Sequence, residues 1–296
     1  MSAEASGAGE PRIEEHLEAV RSRIMQVMTA TAVGPLVAGY RRLLVQGKML
    51  RSRLAWRVGE ALQADPAMLV DAGAAIEMIH AASLLHDDVI DGGYLRRGLP
   101  AFWVEQGIPG AILLGDLMLF QALRLLSAPG QRALLGEAIR LTGEVCEAES
   151  EQELMMREVP STWEAGVDVA RRKTGALFAL AAGAGAGPET PSLDALRESG
   201  FLVGTAYQLA DDFLDAHGDA ETAGKTLGSD AGRNKATAFR AAAEAGIDVP
   251  RYLEALLAQS VDGLARWPTV RAAWARYLET DLRPALDHNL RCQAAL

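Results

Sequence analysis

Apolar residues recur with helical spacing from about Ile13 almost to the end of the chain. Short Gly/Pro punctuation interrupts the pattern near Gly34-Pro35, Asp65-Pro66, Gly92-Gly93, Gly107 to Gly110, Pro129-Gly130 and Pro160-Ser161. Further breaks fall at Gly185 to Pro191, Gly218, Gly228 to Asn234, Val249-Pro250 and Trp267-Pro268. The intervening segments read as about ten helices, many longer than the average of about three turns. Strand-forming runs of Val, Ile and Thr are scarce. No break is long enough for a domain linker. The pattern therefore predicts an all-α protein, a single-domain bundle of about ten or more long helices over residues 12–296. Residues 1–11, small, polar and acidic, read as a disordered tail.

Composition narrows this picture. With 29 basic and 39 acidic residues the net charge is −10, which argues against nucleic acid or an anionic membrane surface as partner. Cys146 and Cys292 lack metal or redox spacing and suggest a reducing compartment. The N-terminus lacks the basic start and apolar core of a signal peptide. No run reaches the roughly 20 apolar residues of a membrane span; the nearest, IPGAILLGDLMLF, is short and carries Asp116. The expectation is a cytoplasmic protein without a membrane span.

Chemistry enters with an aspartate triplet that occurs twice at one spacing. Asp87, Asp88 and Asp91 lie in HDDVIDGGYLRRG, and Asp211, Asp212 and Asp215 in YQLADDFLDAHGD. Spacing of i, i+1 and i+4 puts the first and last carboxylates on one helical face. Each triplet closes an apolar helical run, where the helix dipole disfavours negative charge. Divalent ions would supply the missing charge, and hard oxygen ligands, few per ion, are the signature of Mg²⁺ holding a substrate phosphate. Arg96 and Arg97 follow the first triplet; paired arginines suit phosphate oxygens, or form plain surface ion pairs. Lys48, Arg51, Lys173, Lys225 and Lys235 all stand beside glycine or small residues, each a weak signal alone. GKT lacks P-loop spacing and no strand precedes it.

Taken in order, GKMLR, IHAASLLHDDVIDGGYLRRG, KT, YQLADDFLD, GKTLGSD and NKAT resemble the trans-isoprenyl diphosphate synthases, or polyprenyl synthetases, from about Val45 to Thr237. The resemblance implies the isoprenoid synthase fold, an α-helical bundle around a deep central cavity, in a homodimer. It implies that Asp87, Asp91 and Asp211 bind Mg²⁺ bridging an allylic diphosphate, with Asp88, Asp212 and Asp215 in support. Arg96, Lys173, Thr174, Gln208 and Lys225 would hold that diphosphate. Lys48, Arg51, His80 and Arg97 would hold isopentenyl diphosphate, and Lys235 would close over the site.

These residue types suit the reaction that the resemblance implies. Ionisation of an allylic diphosphate builds negative charge on the leaving group, which preorganised metals and cations stabilise. The double bond of isopentenyl diphosphate attacks the cation, and a proton leaves with the diphosphate, so no dedicated protein base is needed. Water must stay out. His86 is expected to pack rather than react.

The growing chain should run from Asp87 towards the start of its helix, each isoprene unit spanning roughly one turn of about 5 Å. Ala82 and Ser83, one turn below Asp87, are small and leave the way open. The floor is expected at Ile79 or Ile76, or from Leu119, Phe120 and Leu123. A medium or long product follows, roughly five to eight isoprene units at one turn each; the alternative is a shorter geranylgeranyl or farnesyl product.

Several positions depart from the family pattern: Ser52 for a usual proline, Ala101 for a threonine, bulky Phe102-Trp103, Asn234 for a glycine, and no proline after Thr237. Beyond about Arg240 no family signature is legible. A class I terpene cyclase is opposed by Lys48, Arg51, His80 and Arg97, because a cyclase has no second diphosphate to hold. A non-catalytic subunit has no physical reason to keep six carboxylates at helix ends.

Overall fold

The computed structural model describes residues 9–96, 98–156, 162–217, 242 and 245–286. Helix α1 spans Gly9–Thr29, α2 Gly34–Gly39, α3 Arg41–Val45, α4 Leu50–Ala61 and α5 Pro66–Ile90. A short antiparallel hairpin of β1 (Leu95–Arg96) and β2 (Leu99–Pro100) follows, pairing Leu95 with Pro100. Then come α6 (Phe102–Leu126), α7 (Arg132–Leu154), α8 (Trp163–Ala170), α9 (Ala176–Ala186), α10 (Leu193–His217), α11 (Val249–Asp262) and α12 (Pro268–Tyr277). The all-α expectation holds, with that one hairpin added. Helix α1 begins at Gly9, inside the expected tail, because Pro11 falls in the first turn, where its missing N–H costs nothing.

Local chemistry sets the ends of the helices that carry the site. Asp65 caps α5 by accepting from the Ala67 N–H at 2.9 Å, and Pro66 starts it. Asp91 ends it, and Gly92, at φ 63°, turns the chain away. The break expected at Gly107 to Gly110 is a bend within α6: Gly107 is non-helical at φ 76°, and Pro109 follows where the helix resumes. Helix α8 passes into α9 through a π-helical turn, Arg171–Gly175, and α12 continues through another, Leu278–Leu282.

Helix α9 is apolar and buried on nearly every side, packed against α10, α4, α7 and α5. Its approach to α10 is backbone on backbone: a Cβ added at Gly200 would fall 2.6 Å from the Ala179 Cα. No sequence signature marks it, yet the π-helical turn Leu278–Leu282 is locked onto α4. Buried Asp281 accepts from Arg57 Nε at 2.9 Å and from Arg53 at 3.1 Å.

Helices α5 and α6 are each long and apolar enough to cross a membrane by length and composition. This corrects the expectation that no run is sufficient, which weighed contiguous apolar stretches rather than whole helices. Most of the apolar window of α5 is buried in the core, whereas two-thirds of that of α6 is not.

Candidate active site

The ends of α5 and α10, the start of α4, the π-helical turn and the middle of α7 surround one cavity of about 1020 Å³. Lys48, Arg51, His80, Asp87, Asp88, Asp91, Arg96, Lys173, Thr174, Gln208, Asp211 and Asp212 all line it, as do Ala82 and Ser83. Arg97, Lys225 and Lys235 lie outside the described residues, as does the side chain of Asp215.

At the α5 end, buried Asp88 takes a two-pronged grip from Arg96, whose Nε donates at 2.9 and 3.2 Å. The hairpin is what presents Arg96. The segment that leads into it from α5 is fixed by Trp103, whose Nε1 donates to the Gly93 carbonyl at 2.8 Å and whose ring meets Tyr94. Bulky Trp103, one of the departures from the family pattern, thus braces this turn, whereas Phe102 packs its ring on Tyr40. Asp87 is half-buried. Burial pushes its carboxyl up to about 6; Glu149 and Asp91 add to that, while Lys173 and Arg96 oppose it. Burial also works against the charge of Arg96, but Asp88, Asp87 and Asp211 outweigh it and raise the guanidinium further.

The opposite wall is a relay. Thr174 donates from its hydroxyl to Gln208 at 2.5 Å, and Gln208 donates to Asp212 at 2.7 Å. Lys173, one residue earlier on the π-helical turn, is ion-paired with Glu149 of α7. Although burial disfavours its charge, Asp87 and Glu149 hold Lys173 above the usual lysine range.

The third wall is the start of α4. Met49 caps it in the left-handed region at φ 48°, a conformation that costs about 1 kcal/mol in a non-glycine residue. It falls between Lys48 and Arg51, both in the wall. Burial lowers the pKa of each, with Asp211 partly restoring Lys48 and Glu77 partly restoring Arg51. Arg51 lies over the Phe178 ring at 4.8 Å. Glu77 accepts from the Ser52 N–H at 3.0 Å; the proline usual at that position has no such hydrogen.

Among the described residues, no group of three acidic, histidine or cysteine side chains stands ready to hold an ion. Asp87 and Asp91 lie on one wall and Asp211 on the other, so an ion between them needs further oxygens from a ligand. Hard carboxylate donors, few per ion, in one cavity with Arg96 and Lys173, fit a divalent cation shared with phosphate.

His86 packs on Gly115 and lies 3.1 Å from the Ile112 carbonyl, as expected of a packing residue. Of the residues expected at the floor, Ile79 and Leu119 line the cavity, whereas Phe120 is 68% exposed on the outer face of α6. Sequence reasoning missed Glu149, Glu77, Tyr207 and the α7 row Thr142, Val145 and Cys146, all in the lining. Glu149 lies in the acidic run CEAESEQE, which reads as a solvated face, so no local signal marks it.

Residues 36–259 match the profile of the Polyprenyl synthetase family. A short chain isoprenyl diphosphate synthase of Methanothermobacter thermautotrophicus is 34% identical over 74% of this chain and 69% of its own. A nonaprenyl diphosphate synthase of Mycobacterium tuberculosis is also 34% identical, over 88% and 77%. Among solved structures, a Caulobacter crescentus polyprenyl synthase complexed with calcium and isoprenyl diphosphate superimposes with a TM-score of 0.68. It is 29% identical, and the match covers 97% of both chains.

Proposed function

The chain belongs to the polyprenyl synthetase family and is a prenyltransferase, and from that premise we propose the two substrates, the metal and the residues that hold them. The allylic diphosphate lies between the ends of α5 and α10, held by Arg96, Lys173, Thr174 and Gln208. Asp87, Asp91 and Asp211 hold Mg²⁺ there, steadied by Asp88 and Asp212. Isopentenyl diphosphate lies towards α4, on Lys48, Arg51 and His80. The observation that carries this reading is the cavity itself: aspartates far apart in sequence face it together with these cations.

Mg²⁺, when bound, supplies positive charge against which a diphosphate departs. Arg96 and Lys173 add fixed charge on the same side, and the Thr174–Gln208–Asp212 relay holds its donors in place without reorganisation. Ile79, Ala82, Leu85, Leu119 and Val145 provide a wall that keeps water from the allylic cation.

Product length is set where the cavity ends. Ile79 lies eight residues before Asp87, about 12 Å of helix, enough for two or three isoprene units below the metals. A floor at Ile79 and Leu119, both in the lining, would give the shorter alternative, a product of about three or four units. A product of five to eight units requires that floor to move. Purified protein with Mg²⁺, isopentenyl diphosphate and each allylic primer in turn, analysed by mass spectrometry, tests both levels. A ladder that stops at one length is expected; Ala82→Phe shortens it and Leu119→Ala lengthens it. No elongation with any primer would overturn the substrate assignment, and unchanged length in both variants would sink the tunnel.

The exposed apolar row on α6 supports the homodimer. A cytoplasmic location remains part of the proposal, as does a single domain over 12–296, which the docking of α1 on α5 and of α12 on α4 supports.

A further inference from the structure

Both cations that face Asp87, Arg96 and Lys173, are already engaged by carboxylates: Arg96 by Asp88, Lys173 by Glu149. The second pair is set into the wall, with Lys173 22% and Glu149 14% exposed. A diphosphate arriving without metal must therefore pull Lys173 off Glu149. It would leave that carboxylate without its lysine, in the wall it shares with Asp87 and Asp91. A divalent cation at the aspartates supplies the missing charge, and Lys173 can then turn to phosphate.

We infer that Glu149 is a positioning residue that keeps Lys173 occupied in the metal-free enzyme and so makes diphosphate capture depend on the metal. This rests on the allylic-diphosphate reading of the cavity. Glu149 touches no reacting atom in it; it acts through Lys173.

Calorimetric titration of the full chain with inorganic pyrophosphate, first in EDTA and then in Mg²⁺, tests the inference. Glu149→Gln is expected to bind pyrophosphate about tenfold more tightly than wild type in EDTA, a coupling of ordinary size. In Mg²⁺ the two proteins should differ by less than about threefold on the same scale. The double variant Glu149→Gln/Lys173→Met should lose the gain. Glu149→Ala repeats the test should the glutamine variant not fold. Metal-free affinity that is unchanged or weaker in a folded Glu149 variant overturns the inference, since a residue that merely braces Lys173 would weaken binding in both conditions. Wild type that binds no pyrophosphate even in Mg²⁺ overturns the diphosphate reading itself, and the inference with it.

Discussion

At Asp87, burial, Glu149 and Asp91 raise the carboxyl to about 6 from an ordinary 3.8, against the pull of Lys173 and Arg96. The unfolded chain releases this proton near 3.8, whereas the folded chain keeps it to about 6. Ionised Asp87 therefore costs the metal-free fold stability above pH 6, and the cost fades as pH falls through 6 towards 4. Asp87→Asn should raise metal-free stability at pH 8 by about 1–2 kcal/mol, allowing for solvent screening of a half-buried group. The gain should vanish by pH 4. Melting curves across that range check it, and equal melting temperatures at pH 8 would refute the assigned cause. Ser52 shows the opposite limit of single residues. As a letter it is a departure from the family pattern; in the fold it is fully buried, its N–H on Glu77 and its hydroxyl 3.4 Å from the Gly73 carbonyl.

Between elements, small residues decide how closely helices meet. Gly204 of α10 faces the Gly175 backbone at the end of the π-helical turn that carries Lys173 and Thr174. Gly204→Ala must push the two backbones apart, so a loss of about 1–3 kcal/mol is expected. A drop in kcat should accompany it, because Thr174 would leave Gln208. Gly136 of α7 has nothing within 4 Å of an added Cβ, and Gly136→Ala should instead stabilise by about 0.5–1 kcal/mol. Denaturant titration of both variants reads the contrast; equal effects would mean that the contact is not tight. The π-helical turn was not legible in RRKTGALF, because no local pattern marks a wider turn, and in the fold it packs against α7 and α10. The end of α5 was legible, since Asp65-Pro66 and Gly92-Gly93 are local signals that tertiary context did not override.

For the whole molecule, no element among the described residues covers the outer face of α6. Ile108, Ile112 and Phe120 share one helical row with Asp116 and are all exposed, with Leu113 beside them at 68%. A helix with this face belongs against a second copy if the homodimer proposal holds. Leu113→Asp/Phe120→Asp should then convert a dimer of twice 31.5 kDa into a monomer by light scattering. A wild-type monomer would refute the dimer. Sequence alone determined the helical class, the helix ends marked by glycine, proline and caps, and many of the aspartates and cations that line the cavity, because periodicity and local chemistry are written in neighbouring letters. Only the tertiary structure decided which groups face one another. Glu149 reaches Lys173 from a run that reads as solvated surface, Asp281 reaches Arg57 from a region without signature, and Ile79 and Leu119 line the cavity while Phe120 turns outward. Those pairings depend on helices far apart in sequence, whose packing no local pattern encodes.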